Sequence, residues 1–104
     1  MCTLEFVGIV KSESAQSVHL FLDAEEIDLQ RNGDTWTGKK SIDVNDNVAV
    51  KFTATGLNGT KWALELDITC PNGPVKILSR AGIIGTSGRD GFERTVAIGA
   101  DPCK

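Results

Sequence analysis

Apolar and polar residues alternate with a period of two along much of this chain. The two clearest runs are 48–55 and 61–68. Because successive side chains of a strand point to opposite faces, each run predicts a strand with one apolar and one polar face. Such strands must lay their apolar faces on another layer. The apolar positions are Val48, Val50, Phe52, Ala54, Trp62, Leu64, Leu66 and Ile68.

Three Asn-Gly dipeptides separate the alternating runs and predict tight hairpin turns. They are Asn32-Gly33, Asn58-Gly59 and Asn72-Gly73. Hairpin turns need positive φ at their central residues, which Asn tolerates and Gly adopts freely. The dipeptides therefore predict a string of antiparallel strands. Residues 23–26, Asp-Ala-Glu-Glu, form a short acidic connection.

The predicted fold is an all-β, antiparallel β-sandwich that occupies residues 1–104 as a single domain. No segment shows a sustained 3.6-residue apolar period, and the pattern indicates about seven or eight short strands. A small β-barrel is the alternative. In size and strand count the domain is similar to an immunoglobulin-like or fibronectin-like domain. Trp36 and Trp62 are the expected core anchors.

Composition narrows the classes of partner. With 11 basic and 14 acidic residues the formal net charge is −3, which argues against a general nucleic-acid binder. No apolar run is long enough to span a membrane. The first residues show no signal-peptide pattern, so a cytoplasmic location is slightly favoured and a secreted mature form stays open.

The three cysteines, Cys2, Cys70 and Cys103, cannot all pair within one chain. Their spacing matches no zinc site. The odd count fits a reducing cytosol slightly better than an oxidising compartment, so a chain without a disulfide is the favoured prediction. The alternative is one bridge, for which three pairings are open; Cys70 with Cys103 is the preferred pairing, since it would hold the C-terminal tail.

A glycine occurs at every third position from Gly82 to Gly91. Glycine enrichment is typical of an ordinary loop, here between the last two strands. The functional alternative for 82–91 is a nest of backbone N–H groups that binds an anion or a partner protein. Asp90 is expected to orient Arg89. The candidate binding residues are Arg80, Arg89, Asp90 and Arg94.

The segment Asp43-Val44-Asn45-Asp46-Asn47 resembles the Asp-x-Asn-Asp-Asn calcium linker of cadherins. The likeness covers these five residues and implies calcium ligation by Asp43, Asn45, Asp46 and Asn47, because calcium requires oxygen ligands at short spacing. The favoured interpretation is a turn that ends a strand, since Asp and Asn favour turns.

No catalytic or cofactor motif is present, so no cofactor is expected. His19 is the only histidine, and its apolar strand predicts a partly buried structural side chain. The leading hypothesis is a non-enzymatic binding or adaptor module that uses loop 82–91 or a sheet edge to contact a protein or glycan. An assembly subunit that pairs through edge strands is one alternative. A small enzyme with residues from distant strands is another.

Overall fold

Two antiparallel β-sheets form the protein. A computed structural model describes residues 2–99, with side chains from residue 3 onwards, and contains nine strands and no helix in this range. The predicted all-β sandwich is confirmed. The strands are β1 (Cys2–Lys11), β2 (Ser17–Leu22), β3 (Glu25–Ile27), β4 (Gln30–Asn32), β5 (Thr35–Val44), β6 (Asn47–Thr55), β7 (Lys61–Cys70), β8 (Gly73–Ile83) and β9 (Arg89–Ala97).

The strand order leaves both sheets open at their edges. One sheet has the order β4-β5-β1-β7-β8, and the other has the order β3-β2-β6-β9. Each sheet ends in a three-residue strand on one side, β4 or β3, and in a long strand on the other, β8 or β9. Since neither sheet closes on itself, the architecture is a sandwich and not a barrel.

The core lies where the apolar faces of the two sheets meet. The predicted alternation is confirmed for β6 and β7, whose apolar positions are all buried. Trp62 is 4% exposed and its ring centroid lies 4.7 Å from that of Phe52. Trp36 is only half-buried and packs at the margin of the core, with the Arg31 guanidinium 5.3 Å from its ring centroid.

Two of the three Asn-Gly turns are hairpins. Asn32 pairs with Thr35 between β4 and β5, and Cys70 pairs with Gly73 between β7 and β8. The prediction was wrong for Asn58-Gly59, because this turn connects β6 in one sheet to β7 in the other. The apolar faces of β6 and β7 therefore cover each other.

The 57–60 turn is closed by a backbone hydrogen bond, although its flanking strands lie in different sheets. The Thr60 N–H donates to the Leu57 carbonyl over 3.1 Å, and φ is positive at Gly59 but not at Asn58. A type I′ turn has positive φ at both central residues, so this turn is not of that type. The two Asn-Gly hairpins also have positive φ at the glycine only, so these φ values do not explain the change of sheet.

The turn that joins β2 to β3 has no Asn-Gly dipeptide and was not predicted to be a hairpin. Asp23 and Ala24 have φ values of 50° and 68°, and Leu22 pairs with Glu25. Positive φ at two successive residues is typical of a type I′ hairpin turn. The acidic connection is thus a two-residue turn occupied by Asp-Ala instead of Asn-Gly.

Candidate functional site

The long edge strands β8 and β9 lie on the same side of the sandwich and contact each other. We call this surface, β8 and β9 with the connecting residues 84–88, the open side. Within the described residues β8 pairs only with β7, and β9 pairs only with β6. Both strands therefore have one edge with no neighbouring strand, and all four predicted binding residues belong to them.

An aromatic cluster supports the open side from the core. The rings of Trp62 and Phe92 are nearly parallel, with centroids 6.2 Å apart, and Phe52 lies next to both. The Trp62 Nε1–H donates a hydrogen bond of 2.9 Å to Asp90 Oδ2. A Cβ on Gly82 would lie 2.5 Å from that oxygen and 2.6 Å from the Trp62 ring, so glycine leaves the space for this bond.

Asp90 therefore connects β9 to the core. Its side chain bonds Trp62 on the opposite sheet, and it forms no ion pair with Arg89. The expected orientation of Arg89 by Asp90 is not present. The bond to Trp62 could not be predicted from the sequence, because the two residues are 28 positions apart.

The open side has three exposed arginines, Arg80, Arg89 and Arg94. The Arg80 guanidinium carbon lies 4.6 Å from the centroid of the Phe92 ring, a cation–π contact. By register, Arg80 is opposite buried Leu64 and Arg94 is opposite buried Val50. These two arginines thus extend from the inner faces of their sheets at the open side. Arg89 lies on the outer face of β9.

None of these three guanidinium groups has a carboxylate partner among the residues described. The ion pairs there involve a histidine and three lysines instead. The structure brings Arg80 and Asp90 to the same aromatic cluster and places Arg94 next to Phe92 on the same face of β9. Arg89 is on the other face of that strand. The open side consequently offers positive charge that no acid of the described chain neutralises.

The glycine-rich connection is shorter than the sequence predicted. Gly82 belongs to β8 and Gly91 to β9, which leaves residues 84–88 as the loop. Ile84 is buried, its N–H donates to the Thr60 carbonyl over 2.8 Å, and its carbonyl accepts from Gly59 N–H. The Gly88 N–H donates to the Gly85 carbonyl over 3.1 Å. Two of the five loop amides are therefore already used within the protein.

The segment 43–47 covers the end of β5, the connecting residues 45–46 and the start of β6, which lies in the other sheet. The Thr3 hydroxyl donates to the Asp43 carboxylate, and the Asp46 carbonyl accepts the N–H groups of Ile98 and Gly99 at 2.8 and 3.1 Å. Between residues 2 and 99 no group of three or more His, Cys, Asp or Glu side chains is placed to hold a metal ion. The hydrogen bonds support the turn interpretation, and calcium binding stays a prediction.

His19 is exposed, and the prediction of a partly buried side chain was wrong. By register it lies on the polar outer face of the four-stranded sheet, opposite Thr53, while its neighbours Val18 and Leu20 are buried. Its Nδ1 lies 2.8 Å from Glu26 Oε2, and the imidazole side chain is 52% exposed. His19 is exposed because successive side chains of a strand point to opposite faces, and β2 places only every second residue in the core.

The same outer face contains a shallow groove of about 550 Å³ that the sequence did not predict. Phe21 and Ala24 line one wall, and Glu93 and Thr95 of β9 line the other. Lys51 lies at its centre, 3.7 Å from Glu93. The only sequence feature that could have indicated this groove was Phe21, an apolar residue on an otherwise polar strand face.

Cys70 is buried at the end of β7 and is disulfide-bonded. The predicted pairing with Cys103 lies outside the described residues. A disulfide persists in oxidising compartments and is rare in a reducing cytosol. This bond argues against the slight preference for a cytoplasmic location.

Comparison with known proteins identifies no relative. No protein-family model, no curated protein and no solved structure matches the chain. Within residues 2–99 there is also no helix of the length and hydrophobicity needed to cross a membrane. The function is therefore inferred from the geometry of the open side.

Proposed function

We propose that this protein is a non-enzymatic binding module that contacts a protein partner through its open side. The observation that carries the proposal is the combination of two long edge strands with three exposed arginines that have no ion pair within residues 2–99. An edge strand can accept an extended segment by main-chain hydrogen bonding. Arginine is enriched at protein interfaces and binds carboxylates through two parallel hydrogen bonds.

A protein partner is supported over a glycan by the burial of the aromatic residues. All six aromatic side chains lie in the described part of the chain, and none of them is exposed. Phe21, Trp36 and Phe92 are half-buried, and the other three are buried. The surface thus lacks a free aromatic ring against which the face of a sugar could stack.

The geometry supports binding better than catalysis. His19 and Glu26 form the one histidine–carboxylate pair of the described residues, and both side chains are about half exposed. General acid–base catalysis depends on a group held within reach of a bound substrate. This pair stands on an open sheet face, and the groove near it is lined by other residues.

The test is a pull-down from a lysate of the cells that produce the protein. The binding variant is Arg89→Ala with Arg94→Ala, which removes two positive charges of the open side. The matched control is Lys11→Ala with Lys39→Ala, which removes two exposed positive charges that also lack an ion pair within the described residues. Unfolding curves of both variants establish that they are folded.

We expect a specific protein to be retained by the wild type and the control and to be lost from the binding variant. Retention of the same protein by all three forms would place the binding surface elsewhere. Equal loss from the binding variant and the control would indicate that net charge, and not the open side, governs binding.

We also infer that the mature protein functions in an oxidising compartment. The inference rests on the Cys70 disulfide, since such bonds are rare in the cytosol. It agrees with the alternative of a secreted form.

A further inference from the structure

The two edge strands of the open side differ in how they are protected against pairing with another strand. Exposed edges are commonly protected by proline, bulges and charges, which discourage association between copies. β8 has Pro74 near its start and a register shift opposite Leu66 and Asp67, and its charged residues, Lys76 and Arg80, are both positive. Two copies of β8 would therefore repel each other and fit poorly.

β9 lacks the proline and the bulge. It pairs with β6 over nine consecutive residues without a register shift. Its charged residues are of both signs, with Arg89 and Arg94 positive and Asp90 and Glu93 negative. Charges of one sign repel a second copy, whereas mixed charges attract it if the register brings opposite signs together.

A two-fold axis at Gly91 brings opposite signs together. In an antiparallel pair of β9 strands centred on this residue, Arg89 of one copy lies opposite Glu93 of the second copy, and the reciprocal pair forms by symmetry. A symmetric dimer requires this self-complementarity, because each residue contacts a partner in both directions. Gly91, at the centre, contributes no side chain on either copy.

The side chains needed for this register are available. Arg89 is exposed and has no ion pair among the described residues, and the Glu93 side chain is 75% exposed. A register shifted by two residues, with its axis at Phe92, would instead place Asp90 opposite Arg94 and the two Phe92 rings together. Asp90 already bonds Trp62, and Phe92 already stacks between Trp62 and Arg80. The register about Gly91 uses Arg89, which has no ion pair within residues 2–99, and Glu93, whose ion pair with Lys51 lies at the exposed surface.

We propose that two copies of this chain associate through their β9 strands in antiparallel register about Gly91. The two four-stranded sheets then continue into one eight-stranded sheet across the dimer. This inference rests on the proposed function and names its partner: the protein that the open side binds is a second copy of the same chain. The reciprocal Arg89–Glu93 pairs set the register.

The experiment measures the molar mass of the purified protein from micromolar to millimolar concentration by analytical ultracentrifugation. The variants are Arg89→Glu, Glu93→Arg and the double variant that carries both changes. Lys39→Glu is the matched control, since it makes the same change in charge on the other sheet. Lys51→Ala controls for the contact of 3.7 Å between Lys51 and Glu93 within one copy. Unfolding curves establish that every variant is folded.

We expect the wild type to change from its monomer mass of 11.1 kDa to twice that value as concentration rises. Each single reversal places like charges opposite each other twice, so the dimer dissociation constant should rise about tenfold or more. The double variant restores opposite charges and should return to within about threefold of the wild type. Lys39→Glu and Lys51→Ala should leave the constant unchanged.

A wild type that stays monomeric at millimolar concentration would overturn the inference. The inference would also be overturned if Arg89→Glu and Glu93→Arg left the dimer dissociation constant unchanged, or if the double variant failed to restore it. The proposed function has a separate outcome. A monomeric protein that still retains a different protein through Arg89 and Arg94 in the pull-down leaves the binding module in place and removes only the dimer.

Discussion

Asp90 is the residue at which the open side and the core meet. Its carboxylate accepts the only hydrogen bond of the Trp62 indole, and Trp62 is nearly fully buried. Removing the acceptor leaves a buried donor unsatisfied. We expect Asp90→Ala to lower the free energy of unfolding by about 1–3 kcal/mol. Arg89→Ala, next in the chain but exposed, should change it by less than about 0.5 kcal/mol. Urea unfolding measures both.

A double-mutant cycle isolates the hydrogen bond from the other effects of Asp90→Ala. Trp62→Phe removes the indole donor and keeps an aromatic ring in the cluster. If the loss of stability comes from this hydrogen bond, Asp90→Ala should lower the free energy of unfolding much less in the Trp62→Phe background than in the wild type. An equal loss in both backgrounds would show that Asp90 stabilises β9 by some other contact.

The sequence allowed the burial of Trp62 to be predicted but not its hydrogen-bond partner. Burial follows from the local period of two, because Trp62 shares a face with Leu64 and Leu66. The partner depends on which strand of the opposite sheet crosses above the indole, and that is settled by long-range packing. Because sequence proximity was the only guide, Asp90 was expected to orient its neighbour Arg89.

Among the elements, the β2–β3 hairpin has an unfavourable residue in its turn. Ala24 adopts φ of 68°, a left-handed conformation that costs an L-residue with a Cβ roughly 1–2 kcal/mol. Glycine avoids this cost but loses more backbone entropy on folding. We expect Ala24→Gly to raise the free energy of unfolding by about 0.5–1 kcal/mol, as measured by urea unfolding.

The control is the same substitution at Ala49, an exposed position within β6. There glycine relieves no strain, so Ala49→Gly should destabilise the protein by about 0.5–1 kcal/mol. Opposite signs at the two positions are the expected result. Destabilisation at both would indicate that the turn does not hold Ala24 in the left-handed conformation in solution.

At the level of elements, periodicity predicted the strands well and dipeptides predicted the turns only in part. The alternation of 48–55 and 61–68 corresponds to β6 and β7. An Asn-Gly dipeptide favours a tight turn but does not specify whether the flanking strands pair, because that pairing also depends on the packing of distant segments. The turn at 57–60 changes sheets, and Asp23-Ala24 forms a hairpin without the usual residues.

For the whole molecule, the sandwich was predictable and the assignment of strands to sheets was not. Strands with one apolar face must pack that face against a second layer, and any sandwich supplies such a layer. The order within each sheet depends on pairings between distant segments: β1 is central in its sheet and pairs with both β5 and β7. The open side follows from that order, so the place where the four predicted binding residues gather could not be derived from their spacing.

The Cys70 disulfide is expected to stabilise the molecule as a whole. A disulfide restricts the unfolded chain, and its removal from a small domain typically costs about 2–5 kcal/mol. Cys70 is buried at the end of β7 next to the core. Reduction should therefore lower the midpoint of urea unfolding and leave a folded β-protein at low urea.

The control is Cys70→Ala, whose midpoint should resemble that of the reduced wild type and should not respond to reductant. A wild-type midpoint that is the same with and without reductant would contradict a stabilising disulfide at Cys70 and would remove the argument for an oxidising compartment.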